Sequence, residues 1–357
     1  YKRQDLYRIK MISEFKFYSD LNFSLKNKES FVAFKNPSHK KIICYKGEII
    51  SGTNNQMSDK RGFIFMPFDS TDKGYLLIPK NTFETEFHAN LKIDNNYKVS
   101  AKDFTEKKKH YINYVKTAIR DINSSSLEKV VCSSSFGLKI TPKSVTKYFQ
   151  KLLQLNDGAF CYLFFNPSIG IWMGASPEKL INLNNGLLTT YALAATKKEL
   201  SQNWTDKEFR EQKIVEEQII DDLNSSCDFV ENGPLQTIKA GDIYHLKSVI
   251  KAKTTNSSFD LINLLHPTPA VAGSPRNKAI DYINKIENYD RSFYTGYMGV
   301  IDQDYCDVYV NIRCAKIVED DLTIYVGGGI TKESKPIDEW SEIVNKSQTM
   351  LRVFHQD

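Results

Sequence analysis

The chain has 357 residues, 41% of them hydrophobic and 25% charged, with 48 basic against 43 acidic side chains and a net charge of +5. That composition belongs to a folded protein with a large buried core and excludes a disordered one. The positive charge is dispersed apart from short clusters such as Lys107 to Lys109, so neither nucleic acid nor a membrane surface is an expected partner.

Length alone suggests roughly two domain-sized units. No apolar run approaches the ~18 residues of a membrane span, and "YKRQDLYRIKMISEF" lacks the apolar core of a signal peptide. The six cysteines are scattered, with no CxxC pair, which argues against a disulfide frame or a zinc site and for a reducing, cytoplasmic setting.

Along the chain, "GFIFMPF" (62–68) and "GYLLIP" (74–79) read as strands, and 101–122 as an amphipathic helix. The first hundred residues carry no chemistry-bearing motif. From about residue 126, "KVVCSSSF" reads as a strand, "FCYLFFNPSIGIWMGA" as a hairpin and "GLLTTYALAAT" as a further strand. A helix over Asp206–Leu223 comes next, then the proline-rich loop "HPTPAVAGSPR" (266–276) and a helix over 276–287. The strands "YTGYMGVID", "VYVNIRCAKI" and "LTIYVGGGI" and a helix over Pro336–Phe354 complete the pattern. Hairpins outnumber strand-helix-strand units, which predicts an α+β fold of antiparallel sheets with helices outside.

Several polar residues stand where this pattern expects a core. Read as one strand, "VYVNIRCAKI" puts Val308, Val310 and Ile312 on one face and Tyr309, Asn311 and Arg313 on the other. Arg313 is then either a solvent-facing arginine or a fork for a carboxylate or phosphate. Val215, Ile219 and Leu223 form an apolar helical stripe that Glu211 extends by one turn. Glu211 serves there either the helix dipole or a metal. In the last helix Glu339, Glu342 and Lys346 share a face. Just upstream, Gly327, Gly328 and Gly329 close a strand, where a glycine run can offer backbone N–H groups to an anion. Two glutamates, an arginine, a lysine and such a nest would suit a small di-acid bound through magnesium.

At this point the chain resembles the chorismate-utilising enzymes, and most closely the isochorismate synthases. Six ordered motifs between about Leu127 and Phe354 carry the likeness: "LEKVVCS", "GASPEKL", "ALAATK", "KEFREQKIV", "HLKSVIKA" with "HPTPAVAGSPR", and "VNIRCAKI…VGGGI…DEWSEIVNK". The resemblance implies a single α+β domain over 1–357, built of two related subdomains with paired antiparallel sheets. Residues 1–125 would be its variable part and 126–357 its catalytic part.

It also implies a Mg2+-dependent reaction in which water adds at C2 of chorismate while hydroxide leaves C4. By motif match Lys129 is the expected base and Glu178 the expected acid. A lysine base needs a lowered pKa and a carboxylic acid a raised one. Glu211 and Glu342 match magnesium ligands, with Glu339 beside them. Ala195, Thr196, His245, Arg313, Lys346 and Gly327 to Gly329 match substrate-binding positions. Ala270 stands where members that also eliminate pyruvate, such as salicylate synthases, tend to carry threonine, so Ala270 and Val271 favour release of isochorismate. Ala195 replaces a common glycine and is expected to narrow the pocket, which leaves a catalytically impaired chorismate-binding homologue as a rival reading. Lys129 argues for water as nucleophile, against the ammonia of anthranilate or aminodeoxychorismate synthases. No glutaminase partner is expected, and a monomer is.

Overall fold

The computed structural model describes residues 9–58, 60–91, 104–140, 145–197, 199, 203–240, 243–302 and 304–355. Among them run eighteen strands and seven helices. The strands before the first motif are β1 (Lys10–Met11), β2 (Phe31–Lys35), β3 (Lys41–Gly52), β4 (Gly62–Met66) and β5 (Gly74–Glu86). Next come β6 (Lys129–Lys139), β7 (Phe160–Asn166), β8 (Gly170–Ser176), β9 (Lys179–Asn184) and β10 (Leu187–Lys197). After these lie β11 (Phe229–Asn232), β12 (Gln236–Ala240), β13 (Ile243–Lys253) and β14 (Gly273–Ser274), and finally β15 (Tyr297–Ile301), β16 (Tyr305–Val310), β17 (Cys314–Val318) and β18 (Asp321–Ile330). The helices are α1 (Glu14–Lys26), α2 (Thr105–Ser124), α3 (Val145–Leu155), α4 (Asp206–Asn224), α5 (Ser258–Leu265), α6 (Arg276–Ile286) and α7 (Pro336–Phe354). Residues 101–103 of the helix predicted over 101–122 lie outside the described residues.

The strands form one hydrogen-bonded sheet folded back on itself. Its first half runs β14-β6-β18-β17-β8-β7-β2-β3 and its second β4-β15-β16-β9-β10-β13, with β11 and β12 both against β13. Strand β5 joins them: it pairs with β3 along its length and with β4 through Phe63↔Leu77 to Phe65↔Tyr75. The pairings are antiparallel except β1 with β5. The expected α+β fold of paired sheets with helices outside is what the chain adopts, the two layers being halves of a single sheet. Residue 125 marks no break in it, since β2 lies against β7 and β4 against β15.

Alternation along the strands sorts the core into three layers. In β7, Cys161, Leu163 and Phe165 face the helices α1, α2, α3 and α7, while Phe160, Tyr162 and Phe164 face the other half of the sheet. A strand covered on both sides reads as an unbroken apolar run, which is why "FCYLFF" shows no polar face. The second half is covered outside by α4 and α5, through Val215, Ile219, Leu223, Leu261, Ile262 and Leu265. Between the halves the core is aromatic: Phe65 stacks on Phe164 and Phe293 with centroids 4.6 Å apart in both cases.

Because the halves are not contiguous in sequence, the chain must cross between them repeatedly. It does so from β8 to β9, from β13 through α5 to β14, from β14 through α6 to β15, and from β16 to β17. The last crossing corrects the sequence reading. The run 308–317 is not one strand: β16 ends at Val310, Arg313 takes φ 49°, and β17 begins at Cys314 in the opposite half. Asn311, Ile312 and Arg313 form a bend, so strict alternation stops at Val310. Asn311 anchors that bend, its Nδ2 donating to Phe293 O (2.8 Å) and its Oδ1 accepting from Tyr162 Oη (2.7 Å).

Truncating Phe65 to alanine, at the centre of the aromatic layer, is expected to cost about 3–5 kcal/mol. Denaturant unfolding measures this, and a loss under 1 kcal/mol would mean the inter-sheet layer is not the keystone inferred here.

Candidate active site

The four crossovers converge on one cavity, lined by both apolar and polar side chains as small-molecule pockets are. They supply Glu178 (β8 to β9), Ala270 and Val271 (α5 to β14), Tyr294 and Thr295 (α6 to β15), and Ile312 and Arg313 (β16 to β17). Val131 of β6, Tyr325 to Gly327 of β18 and Lys346 of α7 form one wall, and Leu193, Ala194 and Thr196 of β10 with His245 of β13 the other. The proline-rich loop therefore does border the pocket, and its end is the short strand β14, which pairs Gly273↔Val130 and Ser274↔Lys129.

Glu178 sits in a turn pinned by hydrogen bonds. Ser176 Oγ donates to Val310 O (2.6 Å), and Val310 N donates to Glu178 O (3.0 Å). The side chain is 3% exposed. Burial pushes its pKa up to about 8, against the opposing pull of Lys129, Lys346 and Arg313 and of the Thr268 hydroxyl. It thus holds a proton at neutral pH inside a ring of cations, the condition a general acid requires.

His245 lies opposite Thr196 in the β10–β13 ladder. Burial, then Arg313 and Lys346, hold its pKa well below the usual histidine value. The ring is neutral, its Nε2 lies 2.6 Å from Arg313 Nη2 and accepts from it, and Nδ1 therefore carries the proton. That Nδ1 is buried without a partner among the described residues, so a donor stands ready beside the guanidinium. Burial lowers Arg313 to about 10, and the side chain remains a cation at neutral pH. Lys346 Nζ donates to Gly327 O (3.1 Å) and pairs with Glu342 Oε1 (2.8 Å), one helical turn away.

The glycine run is corrected in form. Gly327 to Gly329 are extended members of β18, paired with Ser133, Cys132 and Val131, and not a curled nest at a strand end. Their need for glycine is close approach: a β-carbon on Gly329 would lie 2.1 Å from Glu211 Oε1 and 2.8 Å from Lys129 Cε, and one on Gly327 2.8 Å from Tyr294 Oη. Gly327 lines the cavity; Gly328 faces Tyr111 and Glu339 instead. Ala195 is also corrected. It is fully buried and takes no part in the cavity wall, which Ala194 and Thr196 line around an irregularity in the β10–β13 register. The extra methyl therefore does not narrow the pocket.

Beyond this wall, three carboxylates are each paired with a lysine: Glu211 with Lys129 (3.1 Å), Glu339 with Lys207 (2.5 Å), and Glu342 with Lys346. Glu211 does extend the apolar stripe of α4, as predicted, and that helix begins with the Thr205 N–H donating to Glu208 Oε2 (2.6 Å). Lys129 is completely buried on β6. Burial and the neighbouring Glu342 raise Glu339 to about 7, whereas Glu342 itself stays below the usual value: the ammonium groups of Lys346 and Lys207 outweigh its burial.

Among the described residues no group of three or more His, Cys, Asp or Glu side chains is placed to hold a metal ion by itself. Mg2+ asks for less: one or two carboxylates, with water and ligand oxygens completing its shell. The carboxylate donors here, with Glu339 Oε2 buried and without a hydrogen-bond partner among the described residues, fit such a hard, partly hydrated cation.

Sequence pattern missed Val131, Tyr294, Thr295, Ile312, Tyr325 and Lys207. Val131, Lys207 and Ile312 lie inside the quoted motifs without standing out there, and Thr295 at φ 60° is a backbone state that no β-branched residue advertises.

The comparisons with known proteins agree with this geometry. A family described as "Chorismate binding enzyme" matches residues 78–355. The isochorismate synthase DhbC of Bacillus subtilis is 29% identical over 322 residues, covering 82% of this chain and 80% of its own. The isochorismate synthase MenF of Haemophilus influenzae is 27% identical over 264 residues, 69% of this chain, and the match spans 61% of that protein's length. Among solved structures, DhbC of Bacillus anthracis superposes with a TM-score of 0.78 at 26% identity, over 93% of this chain and 99% of that one.

The raised carboxyl makes a prediction about stability. Glu178 ionises near pH 4.5 in the unfolded chain and near pH 8 in the folded one. Between those values the folded state binds more protons, so stability is full below pH 4.5 and is lost as pH rises through 8. Unfolding titrations should show a loss on the order of a few kcal/mol across this window, absent in Glu178→Gln. Parallel curves for the two proteins would mean that Glu178 is ionised when folded.

Proposed function

The chain belongs to the chorismate binding enzymes, and from that membership we propose that it is an isochorismate synthase that uses Mg2+, adding water at C2 of chorismate with loss of the C4 hydroxyl. The observation that carries this reading is the buried Glu178 carboxyl facing a cavity that Arg313 and Lys346 also line. A dicarboxylate ring needs the cations, and a departing hydroxyl needs the acid.

Arg313, with a planar fork, and Lys346, with a point charge, receive the two carboxylates. His245, held on Arg313 through Nε2, offers its Nδ1–H beside the guanidinium, and its neutrality matters because a third cation would have to be desolvated. Glu178 delivers its proton to the C4 oxygen, so water leaves and not hydroxide. Lys129 takes a proton from the water attacking C2. For this its amine has to be released from Glu211, the carboxylate beside it.

Glu211 and Glu342, with Glu339 beside them, would hold Mg2+, which when bound supplies a positive charge to screen a ring carboxylate. Ala270 and Val271 give the wall an apolar surface where a hydroxyl would otherwise stand, which supports release of isochorismate over pyruvate elimination to salicylate. A monomer acting without a glutaminase completes the proposal.

Incubation with chorismate, with and without Mg2+, followed by chromatography, is expected to give Mg2+-dependent isochorismate and no salicylate. Salicylate with pyruvate would overturn the role given to Ala270, and bound but unconverted chorismate would overturn the enzyme reading. Lys129→Ala and Glu178→Gln are each expected to lower kcat by roughly 10²- to 10⁴-fold. In the parent protein kcat should fall as pH rises past about 8, where Glu178 loses its proton.

A further inference from the structure

Arg291 takes no part in the chemistry above, yet its side chain is 3% exposed immediately behind the cavity wall. All five of its N–H groups are used. Nε donates to Glu287 Oε2 and Nη2 to Glu287 Oε1, both at 2.7 Å. Nη2 also donates to Val131 O (2.6 Å), and Nη1 to Val271 O (2.9 Å) and Thr295 Oγ1 (3.4 Å). The Phe68 ring lies beneath the guanidinium, 4.6 Å away. Glu287 is fixed in turn by Ser133, whose N (2.9 Å) and Oγ (2.6 Å) both donate to Oε1.

The acceptors are what make this more than a buried ion pair. Val131, Val271 and Thr295 all line the cavity, and they come from β6 and from the crossovers into β14 and β15. Thr295 is held at φ 60°, a conformation that costs a β-branched residue energy and persists only where its surroundings enforce it. One rigid planar cation therefore sets the spacing of three separate wall segments. A lysine could not reproduce that fork.

We propose that Arg291 is a positioning residue for the reaction assigned above, on which this inference rests: it holds Val131, Val271 and Thr295 at the spacing that admits the ring and orients it toward Glu178. It acts through these segments and touches no reacting atom. Its loss loosens the fit of the substrate and leaves the acid itself intact.

The test uses the full chain carrying Arg291→Lys, Arg291→Gln or Glu287→Gln, at a temperature where circular dichroism shows each variant folded. The expected result is a KM for chorismate raised roughly 10- to 100-fold, with the alkaline limb of the kcat profile unmoved because Glu178 is untouched. Hydrogen exchange should accelerate at the amides of Val271 and Ala272, which donate to Thr268 O. Glu287→Gln, which keeps the guanidinium and one carbonyl-type acceptor, should be milder than Arg291→Gln. A lowered melting temperature with parental KM and parental exchange would make Arg291 a stability element only and overturn the proposal. If the parent protein neither binds nor converts chorismate, the functional reading falls by itself. Exchange then decides the matter for Arg291, and unaccelerated amides sink it.

Discussion

The constraint on which the rest depends is that one hydrogen-bonded sheet is folded so that its two halves face each other, with strands of both halves drawn from all along the chain. Each passage between halves breaks the ladder and leaves backbone groups that need other partners. Those breaks are where Glu178, Ala270, Val271, Tyr294, Thr295 and Arg313 sit. The cavity follows from the topology: crossovers cannot pack as tightly as the aromatic layer they interrupt, and the polar groups that satisfy their backbone are available to a ligand. Residues there occupy left-handed conformations, at Arg313 and Thr295, which strand geometry would not permit.

Electrostatically the site is a set of paired opposites. Each of Glu211, Glu339 and Glu342 has an ammonium partner, while Glu178 keeps its proton because burial outweighs its cationic neighbours. His245 reaches the converse state, a base kept neutral by burial and by cations. Two groups of opposite ordinary charge are thus both uncharged at neutral pH, and the charge left facing the ligand comes from Arg313 and Lys346. That division lets one pocket bind an anion and donate a proton to it.

Much of this was legible in the amino-acid sequence, for reasons that differ by residue. The stripe of α4 exposed Glu211 because helical periodicity is a local property. The hairpin over β7 and β8 and the strand β18 could be read because their apolar runs end in turns. The reading of 308–317 as one strand failed because alternation continues on paper through Asn311 and Arg313, and only the change of sheet half ends it. Gly327 to Gly329 suggested a nest, when they are extended strand residues that leave room for close neighbours, Glu211 and Lys129 at Gly329 and Tyr294 at Gly327. The pairings of Arg291 and Lys207 left no trace, since an arginine or lysine held inside the fold looks like any surface one until the groups it binds, Val131 and Glu339 among them, are brought to it. The roles of Lys129, Glu178 and the carboxylate-binding groups came from likeness to a family and not from pattern. Geometry supports the acid most directly.

Strand β5 has a consequence for how the molecule comes to exist. It is bonded to both halves, and each half also needs strands that emerge near residues 300 and 330. Neither layer can close while the chain is still being synthesised through its middle. The early strands β2 and β4, with inward-facing phenylalanines, pair locally with β3 and β5, but on their other edges must wait for β7 and β15, more than a hundred residues away. Such long-range pairing slows folding and prolongs exposure of adhesive edges. Assembly of the nascent chain therefore ends in a late, concerted step, and the crossovers that make the pocket are set down in that same event.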